Sequence, residues 1–113
     1  MNSSIVIALP KIDDAKKIRT ILNRHGFSVA AVCSTASTAL ASMSELDGGV
    51  LICGYKLTDR YYRDVLEDIP SYFEMLLLAS GRVIAEAPTS VLTVEMPMKV
   101  SDLVNTVDMM LSQ

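Results

Sequence analysis

The sequence predicts an α/β fold: a doubly wound, five-stranded parallel sheet with helices on both faces. Three observations predict it. Short apolar runs rich in Val, Ile and Leu alternate with stretches whose apolar residues recur every three or four positions, the rhythm of repeated βα units. The runs are apolar almost throughout, rather than at every second residue, as strands covered on both faces require. The 113 residues make one domain, residues 1–113, large enough for a single core without staples. For five strands in so small a domain the expected order is 2-1-3-4-5.

The first strand is Ile5-Val6-Ile7-Ala8-Leu9. Asp13 and Asp14 then offer an N-cap and favourable first-turn charge. Ala15, Ile18, Ile21 and Leu22 share one helical face, and Gly26 stops that helix. Residues 27–33 are the second strand. Ser34 and Thr35 are caps for a helix with the stripe Ala36, Ala39, Leu40, Met43 and Leu46, broken by Asp47-Gly48-Gly49. Residues 50–53 are the third strand. Thr58 or Asp59 caps the next helix, whose apolar face is Tyr62, Val65, Leu66 and Ile69, and Pro70 ends it. Residues 75–79 and 91–94 are the fourth and fifth strands. Ser101 caps a last helix with Leu103, Val104, Val107, Met110 and Leu111 on one face.

The weak link is residues 81–90, GRVIAEAPTS. A crossover helix belongs between the fourth and fifth strands, yet only residues 82–87 are free to form one before Pro88, and Val83 and Ile84 are β-branched. The fourth helix is therefore expected to be shortened or missing.

Composition narrows the function. The net charge is -3 and charged residues make up 20% of the chain, so there is no polyelectrolyte signal. Lys11, Lys16, Lys17, Arg19 and Arg24 cluster on the first helix, but Asp13 and Asp14 lie among them, as on a solvated face. No apolar run approaches the ~20 residues that cross a bilayer, and the N-terminus has no basic region ahead of its short apolar stretch. A cytoplasmic protein with no membrane contact is expected. Cys33 and Cys53 both fall in strand-like runs, which suits buried, reduced thiols. A thiol sensor at Cys53 is weighed against that, but no thiolate-stabilising cluster accompanies it. His25, at a helix C-terminus, has no second His nearby, so no metal site is expected. Lys56 and Lys99 read as solvated charges. No G-x-G-x-x-G, P-loop or nucleophile elbow is present, no cofactor is implied, and the chain is not expected to be an enzyme.

Three stretches, in order and at near-matching spacing, resemble the receiver domain of bacterial two-component response regulators, a flavodoxin-like fold. GYKLTDRYY (54–62) is similar to that family's loop after the third strand, usually D-I-x-L-P-D-x-x-G. EMPMKVSDLVNTVDMML (95–111) resembles its K-P-F ending and last helix. TASTALASMSEL (35–46) resembles its second helix, with Ala39-Leu40 at the usual Ala-Leu pair. Receiver chemistry, as the resemblance implies it, needs two acids for Mg²⁺ after the first strand, an aspartate nucleophile ending the third, a hydroxyl after the fourth, and a lysine before a cis-proline after the fifth. On this sequence those positions fall on Leu9 and Pro10, Gly54, Ala79 (with Ser80 adjacent) and Met96, and Pro97 is the expected cis-proline.

The expectation is a pseudo-receiver: a signal-transduction module, independent of phosphorylation, that acts through its surfaces. IVIALP in place of an acidic pair is similar to the N-terminal domains of ANTAR-type transcription antiterminators, which implies the N-terminal part of a longer regulator. RNA would then be met only through an output domain that this chain lacks, and the direct partner would be a protein or a second copy. Tyr55 and Tyr61, with Arg82, Val83 and Ile84 of the short crossover, are the candidate interaction surface. The alternative is a small-ligand sensor using an apolar hollow lined by Leu9, Pro10, Gly54, Ala79 and Met96. Packing density argues that neighbours such as Tyr55 or Met98 fill that hollow.

Overall fold

The computed structural model describes residues 4–112. Five parallel strands lie in the order β2-β1-β3-β4-β5, as expected. In chain order the elements are β1 (Ser4–Ala8), α1 (Ile12–Arg24), β2 (Val29–Cys33), α2 (Ala36–Ser44), β3 (Gly49–Gly54), α3 (Tyr62–Asp68), β4 (Phe73–Ala79), α4 (Gly81–Ala85), β5 (Leu92–Glu95) and α5 (Val100–Leu111).

The pleat divides the strand residues into two cores. Ile5 and Ile7, Val50 and Ile52, and Leu76 and Leu78 meet Ile18 and Leu22 of α1 and Leu103 and Val107 of α5. Val6 and Ala8, Leu51 and Cys53, and Met75 and Leu77 meet Ala39 and Met43 of α2 and Tyr62 and Val65 of α3. Both sets are buried. This is why the strands read as unbroken apolar runs: a sheet sandwiched between helices has no solvated face on which to put a polar residue.

The third strand enters through a close approach. Gly49 has φ +149, and a Cβ there would lie 1.8 Å from the carbonyl oxygen of Ser4. The amide of Ser4 donates to Gly48 O at 2.9 Å, and that of Gly49 to Tyr72 O at 3.2 Å. The pair Gly48-Gly49, read from sequence as a helix breaker, also lets β3 start inside the sheet between β1 and β4.

Several element ends differ from the sequence expectation, each for a local reason. α1 begins at Ile12 with Lys11 at the N-cap, and Asp13 and Asp14 sit in its first turn without capping it. At its other end Gly26 has φ +86, the amide of Gly26 donates to Asn23 O at 3.1 Å, and that of Phe27 to Leu22 O at 3.0 Å. This Schellman pair uses up Phe27 and delays β2 to Val29. Of the two α2 cap candidates Thr35 is the one used, with Thr35 Oγ1 accepting from the amide of Thr38 at 3.2 Å. β4 starts at Phe73, two residues early. α3 ends where Ile69 turns extended ahead of Pro70, as a residue before proline prefers. α4 is present but only five residues long, so the fourth helix is shortened rather than missing. β5 starts one residue late, at Leu92. Ser101 lies inside α5, and Lys99 occupies its N-cap position without a side-chain cap bond.

Asp59 is the largest of these corrections. It does not cap α3. It reaches the N-terminus of α2, where its carboxylate accepts the amides of Ala36 at 2.7 Å and Ser37 at 3.1 Å and the Ser37 hydroxyl at 3.2 Å. These bonds hold the carboxyl below its ordinary pKa, the Ala36 amide first among the causes. Thr58 Oγ1 donates to Ser34 O at 3.1 Å, so the loop after β3 is tied to the corner between β2 and α2.

Candidate functional site

In an open parallel sheet the carboxyl ends of the strands meet at one edge, and ligands are bound in the crevice where the strand order reverses, here between β1 and β3. Four of the five positions singled out from sequence come together there. Leu9 and Pro10 follow β1, Gly54 ends β3, and Met96 follows β5; all four line one cavity of about 600 Å³. Ala79 does not. It belongs to the core on the opposite face of the sheet, and its neighbour Leu78 reaches the cavity instead. The one-residue offset follows from the period of two along a strand. Ser80, beside Ala79, is the residue before α4 and makes no side-chain cap bond.

Gly54 is occupied space as much as a missing side chain. A Cβ built there would lie 3.2 Å from Leu9 Cδ2 and 3.4 Å from Pro10 Cδ. The residues in the two acid positions thus lean over the third. Met96 is 42% exposed, its amide donates to Ala79 O at 2.8 Å, and the Met96–Pro97 peptide bond is cis, as expected.

The hollow is not filled. Tyr55 and Met98 stand at its side rather than plugging it, contrary to the packing expectation. Tyr55 is held away by its own stacking, with ring centroids 5.4 Å from Tyr61 in an edge-on arrangement and 6.1 Å from Tyr62. Three charged side chains border the cavity: Asp14 and Lys17 from α1 and Lys56 from the loop after β3. Sequence reasoning placed both lysines in solvent because nothing local links α1 to residue 56. Lys99, considered with Lys56, does not reach the cavity.

The loop from Tyr55 to Tyr61 is closed by its own backbone. The amide of Leu57 donates to Arg60 O at 2.7 Å, the amide of Tyr62 donates to Tyr55 O at 2.9 Å, and Leu57 is buried beneath it. On its outer side a second hollow of about 460 Å³ lies between Tyr55, Tyr61 and Arg63 on one flank and Arg82, Val83 and Glu86 on the other. Four of the five candidate interaction residues therefore converge. Ile84 does not line that hollow; like Val83 it is half-buried against the core under α2 and α3. Lys56 Nζ lies 5.2 Å above the Tyr61 ring, a cation–π contact.

Cys53 is fully buried one residue before Gly54. Burial pushes its thiol up to about 12, because a thiolate there would be stripped of water without a compensating charge. Cys33 is also buried and free. His25 Nδ1 lies 2.9 Å from Ile21 O within its own helix. Among the described residues no group of three or more His, Cys, Asp or Glu could hold a metal ion, and no helix is long and apolar enough to cross a membrane.

No protein-family model matches the sequence, and no curated protein matches it. Solved structures do match the fold. The receiver domain of a Francisella response regulator superposes with a TM-score of 0.82 at 16% identity, covering 98% of each chain. A protein from Rhodopirellula baltica described as an adenylate cyclase gives 0.86 at 16% identity, over 99% of this chain and 89% of that one. The anti-anti-sigma factor PhyR of Bartonella quintana gives 0.81 at 15% identity over 99% of this chain, which spans about half (48%) of PhyR's length. Identities this low establish a shared fold: the chain has the architecture of a response regulator receiver domain.

Proposed function

We propose that this domain is a pseudo-receiver, a signalling module that does not take up a phosphoryl group and that transmits through its surfaces. The observation that carries the reading is the environment of Gly54. The strand end where the receiver fold keeps its nucleophile has no side chain, and a Cβ there would be crowded at 3.2 Å by Leu9 and 3.4 Å by Pro10. Those two residues stand where acids would hold Mg²⁺, and Met96 stands where a lysine would neutralise the phosphate. Transfer of a phosphoryl group depends on positioned charge around the migrating group, and these positions now form an apolar surface. The same absence argues for a signalling role over an enzymatic one.

The finer reading is that the module controls an attached or partner output domain, of the RNA-binding antiterminator type that the IVIALP stretch resembles. Contact with a protein or a second copy is assigned to Tyr55, Tyr61, Arg82 and Val83 around the outer hollow. Exposed aromatic and arginine side chains beside a concavity are the residue types that anchor protein contacts.

The test is incubation with Mg²⁺ and acetyl phosphate, and separately with beryllofluoride, followed by intact mass and amide NMR shifts. The expected result is an unchanged mass and no Mg²⁺-dependent shifts at Leu9, Gly54 or Met96. A mass gain of one phosphoryl group, or beryllofluoride shifts centred on those residues, overturns the reading.

A further inference from the structure

The 600 Å³ cavity at the strand ends has no part in a surface-only signalling module. Its size falls within the ~300–1,000 Å³ range of small-molecule sites. We propose that it is a binding site for a small amphipathic anion: an apolar body, aliphatic or aromatic, carrying one carboxylate or sulfonate head.

The body follows from the floor. Leu9, Ile18, Gly54 and Leu78 line it, with Met96 and Met98 on the wall, and no side chain among these six carries a hydrogen-bonding N–H or O–H. A polar body such as a sugar or a nucleobase would lose its water bonds there without replacement. The two methionines are unbranched and adaptable, so the wall fits more than one apolar shape. The head follows from the mouth. Lys17 and Lys56 outnumber Asp14 there by one charge, with Lys56 Nζ resting 5.2 Å over the Tyr61 ring and Lys17 the nearer choice for the head. Among the described residues the only ion pair is Arg60 with Asp68, so neither lysine is neutralised by a direct carboxylate contact. The site needs no rearrangement of the core, because it is already open between α1 and the residues after β5.

The proposal does not rest on the loss of phosphoryl transfer. Beryllofluoride binding would end the pseudo-receiver reading and leave the following titration fully readable. The probes are decanoate and decanol, which share a chain and differ in charge, followed through methionine-methyl NMR signals and by displacement of anilinonaphthalene sulfonate. Saturable shifts at Met96 and Met98 are expected at one equivalent, with Met43 and Met75 in the core unmoved and decanoate bound about tenfold more tightly than decanol. Lys17→Glu should abolish that preference. Met96→Trp, at a half-exposed position whose replacement spares the core, should fill the cavity and weaken both probes at least about tenfold while the melting temperature is retained. Absence of saturable shifts up to about 1 mM decanoate overturns the proposal. So do equal affinities for the two probes, or unchanged affinity in folded Met96→Trp. Concentration-dependent dimerisation of the ligand-free chain that moves the same two methyl signals names a second copy as the occupant, and overturns it too.

Discussion

Gly54→Asp restores the side chain that the receiver fold uses as its nucleophile, and the structure sets what it should cost. The backbone accepts an L-residue there, since the position is not among the glycines with left-handed φ. The new Cβ would meet Leu9 Cδ2 at 3.2 Å and Pro10 Cδ at 3.4 Å. Leu9 Cδ2 is the end of a flexible side chain and yields by a few tenths of an ångström; the Pro10 ring carbon is fixed to the backbone and yields less. Overpacking of this kind, with a carboxylate added against an apolar floor, costs about 1–3 kcal/mol. For a domain of this size that is a fall in melting temperature of roughly 4–12 °C.

The cost should depend on pH, with a definite sign. Desolvation raises the folded pKa of the introduced carboxyl above its unfolded value, so the native state binds more protons than the unfolded one and stability falls as pH rises. The thermal deficit against wild type should therefore be larger at pH 7.5 than at pH 4.5. The restored aspartate should still gain no phosphoryl group from acetyl phosphate with Mg²⁺, because Leu9, Pro10 and Met96 leave the metal and the phosphate unsupported. Differential scanning fluorimetry at the two pH values, with intact mass, reads both effects. A variant as stable as wild type, or one phosphorylated by the single change, would refute the argument that the acids were replaced by residues packed into one another's space.

Two further perturbations test the surroundings. Asp59→Ala removes the acceptor for two amides of α2 and should cost about 0.5–2 kcal/mol. Because the folded pKa is depressed, this contribution is complete above the ordinary carboxyl value of 3.8 and is lost as pH falls through the lower folded value, so chemical denaturation curves of variant and wild type should converge in strong acid. A gap that persists there would mean the carboxylate is not the source of the effect. Cys53, raised from 9.0 to about 12 by burial, should react with a disulfide reagent at pH 8 much more slowly than a free thiol, because little thiolate forms and the sulfur is out of the reagent's reach. Peptide mapping should find it labelled only after unfolding in guanidinium chloride; native labelling at the rate of a free thiol would contradict the burial argument and revive a sensor role.

What was legible in the sequence follows the range of the interactions involved. The strand order and both cores came from local apolar pattern, because burial on both faces writes itself into β1, β3 and β4 beyond their first residues, with Glu74 the exposed exception near the start of β4. The short fourth helix was equally local, signalled by Pro88 and the β-branched pair before it. Asp59 was misplaced because its partners, Ala36 and Ser37, lie more than twenty positions away, while a nearer helix start offered a plausible local use. Phe27 was read as strand because its run continued into Val29, whereas the bond of its amide to Leu22 O is a helix-end geometry that apolar pattern does not encode. The site was half legible. The resemblance found Leu9, Pro10, Gly54 and Met96, yet Ala79 proved to face the other side of the sheet, and Lys17 and Lys56 came to the cavity mouth from elements far apart in the chain.

The state of the strand ends is unusual for a functional edge in a particular way. Binding and catalytic sites commonly break the rules of a good core by burying charge or leaving polar groups strained. Here no described buried side-chain polar atom lacks a hydrogen-bond partner, and among the described residues the strongly raised pKa is that of Cys53, which burial alone explains. Electrostatically the floor of the edge obeys the rules of an interior, with Asp14, Lys17 and Lys56 kept to its border. It breaks the rule of packing instead: a domain whose sheet is otherwise closed on both faces leaves about 600 Å³ open over Gly54. A Cβ at position 54 would press on Leu9 at 3.2 Å and touch Pro10 at 3.4 Å, so closing the gap from the sheet below makes Leu9 move, and Tyr55 is held off by Tyr61 and Tyr62. The residues that the proposed loss of phosphoryl chemistry rests on are therefore also residues that line the open cavity, and one side chain, Leu9, takes part in both.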